Sequence, residues 1–321
     1  MRTDITRLGV SSQVVSRVAF GCEQLGGYDW GAVDATEIAA AIESAVGMGV
    51  TLFDTADCYG HGESERRLGR ILAPHRARVM IATKFGVRFS DSGGVWYDSS
   101  PAWARQALDE SLRRLQTEVV DLLQMHYWDG VTPLRELFDC LERLRERGKI
   151  RWYGVTNLSP ELVPAGGYPG LVSASLEYSL VERTCESVAQ QLRARGISFI
   201  AYGCLGQGIL SGKYGADARF GAGDRRARPR YRNFHGERLA HNAAIVEVLK
   251  AEAAKLGAVA SQVAIAWVLQ AVADSIAVVG IKNGAQLVDA LQGRQLELPG
   301  ETVAALDAAS ARLQVADCES A

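Results

Sequence analysis

The chain lacks most of the marks of a specialised protein. Its formal net charge of −2 over 321 residues leaves no excess of one sign to draw it to nucleic acid or to a membrane surface. No run of about 18 apolar residues occurs, so no helix is expected to span a bilayer. Met1-Arg2-Thr3-Asp4-Ile5-Thr6-Arg7 has no apolar core and is not expected to be a signal peptide. The six cysteines (22, 58, 140, 185, 204 and 318) include no CxxC pair. In a chain of this size that points to reduced thiols and a cytoplasmic location rather than a disulfide framework. The histidines at 61, 75, 235 and 241 lack metal-ligand spacing, and no metal is expected. Gly21-Cys22-Glu23-Gln24-Leu25-Gly26-Gly27 does not give GxGxxG, which counts against a doubly wound dinucleotide-binding sheet.

What is present is regular alternation, preceded by a hairpin expected around Gly9-Val10-Ser11-Ser12-Gln13. Short apolar runs read as strands at 17–21, 50–53, 78–84, 119–126, 150–155, 171–176, 197–202 and 275–279. Helical patterns fall between them, at 34–48, 63–72, 100–115, 133–147 and 184–195. Asp34 and Ser100 are candidate N-caps, and Pro101 suits a first turn. A Gly- and Arg-rich loop at 203–234 interrupts the pattern, followed by helices at 237–256, 261–271, 284–292 and 301–313. Eight strands alternating with helices in about 300 residues fit a (β/α)8 TIM barrel with an N-terminal β-hairpin and extra C-terminal helices. No composition break divides the chain, so 1–321 is expected to be one barrel domain.

Four consecutive units place a polar group at or just after the strand end: Asp54, Lys84, His126 and Asn157, with Tyr59 one loop beyond. On a closed barrel these converge at the C-terminal mouth. A phenol titrates near 10, and a cation beside it is expected to lower that value. Aspartate would keep the lysine charged and placed, and histidine would orient a carbonyl oxygen. Taken singly, Asp54 would be a cap or surface acid, Tyr59 a packing residue and His126 a core histidine. Together they form a device for giving a proton to a developing alkoxide, and it needs a hydride source.

At this point the chain resembles the aldo-keto reductases over essentially its whole length. The matching segments are Asp54-Thr55-Ala56-Asp57-Cys58-Tyr59-Gly60, Thr83-Lys84-Phe85-Gly86, Met125-His126-Tyr127-Trp128-Asp129 and Gly154-Val155-Thr156-Asn157-Leu158-Ser159. They continue through Tyr178-Ser179-Leu180, Ala201-Tyr202 and Leu205-Gly206-Gln207-Gly208-Ile209-Leu210-Ser211-Gly212-Lys213-Tyr214. The resemblance implies NADPH-dependent reduction of a small-molecule carbonyl. Tyr59 would give the proton, Lys84 would lower its pKa, Asp54 would hold Lys84, and His126 would orient the substrate. Thr156, Asn157 and Ser175 would face the nicotinamide amide, and Tyr202 would stack on the ring. Backbone N–H groups of Leu205, Gly206 and Gly208, with Lys213, would face the pyrophosphate. Gly280, Lys282, Gln286 and Asp289 would hold the adenosine end, with Lys282 toward the 2′-phosphate. Three positions depart from the family pattern: Ser175 for glutamine, Gly203-Cys204 for Ser-Pro, and Ala290 for asparagine.

Trp30, Trp96, Tyr127 and Trp128 fall in rim loops, where lining the substrate pocket and plain packing are rival readings. Cys58 reads as a reactive thiol or a small pocket-wall residue. Arg219, Arg225, Arg226, Arg228, Arg230 and Arg232 face only Asp224 locally. They suit a cofactor clamp, a site for a phosphate-bearing substrate, or a solvated or subunit-contact face. Two other functions fit the pattern: a cofactor-sensing regulatory subunit of the same fold, and a reductase of a sugar or natural-product intermediate. Monomer and homo-oligomer both stay open.

Overall fold

A computed structural model of the chain describes residues 4–318 apart from 32, 91, 92, 165 and 167, and beyond residue 311 only the backbone of the last helix. The chain begins with an antiparallel hairpin of β1 (Ile5–Arg7) and β2 (Val14–Ser16). Eight parallel strands then close a barrel: β3 (Val18–Gly21), β4 (Leu52–Asp54), β5 (Met80–Phe85), β8 (Val120–Met125), β9 (Ile150–Thr156), β10 (Leu171–Glu177), β11 (Ser198–Tyr202) and β12 (Ile276–Gly280). Each falls on an apolar run and within a residue or two of the expected bounds. A second antiparallel hairpin, β6 (Val87–Phe89) with β7 (Val95–Tyr97), projects beyond β5 and was not anticipated.

The helices form the outer layer. They are α1 (Ala35–Gly47), α2 (Glu63–Leu72), α3 (Pro101–Leu115), α4 (Leu134–Glu146), α5 (Glu186–Ala194), α6 (Gly236–Lys255), α7 (Ala260–Ala271), α8 (Gly284–Gln295) and α9 (Gly300–Cys318). The expected caps are in place. Asp34 accepts from the N–H groups of Thr36 and Glu37, and Ser100 from that of Trp103. No single helix among the described residues is long and apolar enough to cross a membrane.

The two-residue period of the strands decides where the site lies. Phe20, Phe53, Ile81, Leu123, Val155 and Phe199 point outward into the layer shared with the helices. The alternate residues Ala19, Leu52, Ala82, Leu122, Ile200 and Ile276 fill the barrel interior, and Leu8 and Val15 of the first hairpin plug its base. Each fully buried Leu, Ile or Phe contributes about 1.5–3 kcal/mol by removal from water. Moving up the strands on the inward parity, the side chains turn polar: Asp54 follows Leu52, Lys84 follows Ala82, and Gln124 and His126 follow Leu122. The apolar plug fixes the barrel, and the polar layer above it faces the open mouth.

Candidate active site

Lys84 stands at the centre of that polar layer. Its Nζ donates to Asp54 Oδ1 at 2.5 Å and to the Thr55 carbonyl at 2.9 Å, and it lies 3.4 Å from Tyr59 Oη. Asp54 and Lys84 are buried, at 6% and 4% exposure, so the pair interacts with little screening. Tyr59 sits on the β4–α2 loop, held by a close backbone crossing. Gly60 has φ 57° and abuts Gly26, where a Cβ on residue 60 would stand 2.3 Å from the Gly26 carbonyl oxygen. His126, just past β8, meets the Tyr59 ring edge-on, with centroids 6.0 Å apart.

The electrostatics depart from expectation at Tyr59. Burial raises its pKa well above 10, and the carboxylates of Glu23 and Asp54 push the same way. Proximity of Lys84 does not reverse this, so the phenol holds its proton throughout the neutral range. Burial, aided by Lys84, drops His126 well below 6.5 and keeps its imidazole neutral. Cys58 Sγ lies 3.6 Å from His126 Nδ1, and burial, with Asp57 adding, holds that thiol protonated.

The residues expected at the cofactor segments are only partly gathered. Tyr202 Oη donates to Asn157 Oδ1 at 2.5 Å, and Asn157 Nδ2 donates to the His126 carbonyl at 3.3 Å. Asn157 adopts φ 58°, in the left-handed region, and its side chain links Tyr202 to the His126 backbone. Thr156 Oγ1, on the inward parity beside it, is buried without a hydrogen-bond partner. Ser175 instead donates to Gln124 Oε1 at 2.7 Å, and Gln124 Nε2 stands 3.4 Å from Asp54 Oδ2. Ser175 is thus engaged inside the barrel rather than presented at the rim. Gln124 was overlooked although its signal was available: it is the one polar residue between Leu122 and His126 on the inward parity.

Farther round, the N–H groups of Gly206 and Gly208 close turns onto the carbonyls of Gly203 and Leu205, so neither is free to meet a pyrophosphate. Leu205 is part-buried and packs against the outer core. Gln286 accepts from the Lys282 N–H at 2.8 Å and ties the end of β12, at Gly280, to α8. Asp289 accepts from Gln262 at 3.2 Å on the α7 side. Lys282 Nζ donates to the Trp30 carbonyl at 3.3 Å. Burial, with Arg226 and Lys213 adding against Asp224, lowers the pKa of Lys282. Three cations therefore gather around one carboxylate. That surplus, with the orphaned Thr156 hydroxyl, fits a polar ligand that bears phosphate.

Three of the loop's six arginines meet carboxylates, two of them far away in the chain. Arg225 pairs with both Asp29 and Glu23, and Arg228 reaches Asp29 at 2.8 Å. Arg226 pairs with Asp224 at 2.6 Å and donates to Tyr214 Oη at 2.8 Å. Trp30 is buried with the Arg225 guanidinium 4.7 Å above its ring. Trp30 thus anchors the 203–234 loop. Trp128 donates to the Thr132 carbonyl at 2.8 Å and packs on the core, and Trp96 faces Arg88. Of the four rim aromatics, Tyr127 reaches the tetrad, its ring stacked on His126 at 5.0 Å.

A parallel barrel with an ammonium, a carboxylate, a phenol and an imidazole at its C-terminal mouth defines a (β/α)8 oxidoreductase working at a carbonyl oxygen. The chain belongs to the aldo/keto reductase family, whose pattern it matches over residues 17–311. It is 32% identical to the probable aldo-keto reductase 1 of Glycine max over 291 residues, 89% of this chain and 83% of that protein. It is 29% identical to the aldo-keto reductase yakc, designated NADP(+), of Schizosaccharomyces pombe, over 92% of this chain and 88% of that one. The glycerol dehydrogenase AKR11B4 from Gluconobacter oxydans superposes with a TM-score of 0.86 at 32% identity, covering 97% of this chain and 96% of that one.

Proposed function

We propose that this chain reduces an aldehyde or ketone to an alcohol with NADPH, taking the proton from Tyr59. The observation that carries the reading is the contact of Lys84 with both Asp54 and Tyr59 in a buried site. When bound, the reduced nicotinamide supplies the hydride that adds to the carbonyl carbon. The carbonyl oxygen then takes the Tyr59 proton, and the Lys84 ammonium, 3.4 Å away, stabilises the phenolate left behind. Asp54 keeps Lys84 charged and fixed. His126, neutral, donates a ring N–H to the same oxygen and orients it.

Thr156 and Asn157 are suited to the nicotinamide amide, and Tyr202 to its ring. Lys213 and Lys282 are suited to the phosphates, and the half-buried Lys282, set among other cations, suits a 2′-phosphate. The test is a panel of aldehydes and ketones assayed by NADPH oxidation with Tyr59→Phe alongside. The variant should lose turnover by about 10²–10⁴-fold while still binding NADPH. Undiminished turnover would remove Tyr59 from the role. Absence of any turnover in the unaltered protein, despite tight NADPH binding, would favour a cofactor-sensing subunit.

A further inference from the structure

Two of the side chains around the His126 ring fix its plane. Tyr127 stacks on it at 5.0 Å and 15°, and Tyr59 meets it edge-on at 6.0 Å and 83°. Neither contact bears on which ring nitrogen carries the proton. A third neighbour does. Cys58 Sγ lies 3.6 Å from Nδ1, within reach of a hydrogen bond to sulfur. Among the described residues, Nε2 has no hydrogen-bond partner, and it is the nitrogen left for a ligand.

The direction of the Cys58–His126 bond follows from the chemistry of the two groups. Burial keeps the imidazole neutral and the thiol protonated. A neutral imidazole has one N–H and one bare acceptor nitrogen. Thiol sulfur is a weak acceptor, so the S–H donates to Nδ1. The ring proton then sits on Nε2. A carbonyl oxygen offers lone pairs alone, and a bare Nε2 would repel it. Cys58 directly precedes Tyr59, and their turn is pinned. The Tyr59 N–H donates to the Ala56 carbonyl at 3.2 Å, and the His61 N–H to the Cys58 carbonyl at 3.2 Å. One loop therefore carries the phenol and touches the second donor.

We propose that Cys58 is a positioning residue that locks His126 in its Nε2–H tautomer, so that phenol and imidazole both present hydrogen to the carbonyl oxygen. This rests on the carbonyl-reductase reading and adds a residue to it. It also gives Cys58 a part that is neither reactive thiol nor plain pocket wall. Stacking on Tyr127 treats the two tautomers alike, so without the thiol the ring would divide between them.

Nitrogen NMR of the imidazole rings at about pH 8, where ordinary histidines are neutral, reads the tautomer in the unliganded protein. His126→Gln assigns the signal. The unaltered protein should show the Nε2–H form alone, and Cys58→Ala should show both forms. Cys58→Ala should also lower kcat/KM for an aldehyde about tenfold, with NADPH binding unchanged. Cys58→Ser keeps a donor on the same Cβ and should restore both the single tautomer and most of the activity. Three results overturn the lock and leave the reductase reading intact: an unchanged tautomer in Cys58→Ala, a changed tautomer with full kcat/KM, or equal losses in the alanine and serine variants. No turnover in the unaltered protein, with the tautomer still following residue 58, overturns the reductase reading and leaves the Cys58–His126 bond standing.

Discussion

The Lys84 ammonium of β5 bridges the Asp54 carboxylate at the end of β4, at 2.5 Å, and the Tyr59 phenol on the loop that follows, at 3.4 Å. The geometry assigns Asp54 a supporting part, because its carboxylate touches Lys84 and Gln124 rather than the open mouth. Asp54→Asn should therefore lower kcat by about 10²-fold with NADPH affinity little changed. Asp54→Leu should also destabilise the fold by about 3–5 kcal/mol, since it strands a buried ammonium. Stopped-flow kinetics and denaturant melts separate the two effects. An Asp54→Asn enzyme with full kcat would show that Lys84 needs no counter-charge.

The pH dependence follows from opposite shifts at Tyr59 and His126. Burial raises the phenol well above 10 and lowers the imidazole well below 6.5. Carbonyl reduction needs both groups neutral, so kcat/KM should be flat from about pH 6 to about pH 9. The same shifts bear on stability. His126, with its folded value depressed, favours the fold above about pH 6.5 and loses that contribution as pH falls toward its folded value. Tyr59, with its value raised, favours the fold below about pH 10 and loses that contribution as pH rises. His126→Gln should flatten the acid side of a melting-temperature profile. A profile that keeps its acid slope would trace it to other groups.

Much of this was legible without coordinates because it is written in local period. Eight apolar runs announced eight strands, and Asp54, Lys84 and His126 were placed at or just past three of their C-terminal ends, with Tyr59 one loop beyond. What stayed hidden depends on contacts between distant segments. The β6–β7 hairpin has strands of three residues with exposed aromatics, too short for periodicity to register. The engagement of Ser175 depends on Gln124, two strands away around the barrel. The arginine loop looked unpaired because its partners, Glu23 and Asp29, lie about 200 positions earlier. The depression expected for Tyr59 failed because a sequence shows a neighbouring lysine but not the desolvation that outweighs it.

Lys282 offers a test of cofactor choice. Its half-buried ammonium feels Arg226 and Lys213, with Asp224 as the opposing carboxylate. A 2′-phosphate would relieve that repulsion, and a 2′-hydroxyl would not. Lys282→Ala should raise KM for NADPH by about 10–100-fold and change KM for NADH by little. Equal effects on both cofactors would place the phosphate elsewhere.

Arg225 joins two loops that the chain separates widely. Its guanidinium pairs with Glu23 and Asp29, lies over Trp30, and brings the 203–234 loop against the segment that follows β3. The Arg225 N–H also donates to the Asp29 carbonyl at 2.8 Å, so backbone and side chain fasten the same point. Arg225→Ala leaves Asp29 with Arg228 alone, and Glu23 without its arginine. The expected cost is about 1–3 kcal/mol, because a partly buried carboxylate loses a charged hydrogen bond. Asp29→Ala should cost a similar amount. The double variant should cost less than the sum, with a coupling of about 0.5–3 kcal/mol, because both single changes break the same contact. The pair is shielded, so that coupling should persist at high salt, where an exposed pair would fade. Since the same loop carries Arg226 and Lys213, Arg225→Ala should also speed NADPH release, about tenfold by stopped-flow fluorescence. Simple additivity of the two changes, with unaltered release, would show that the loops hold their places independently.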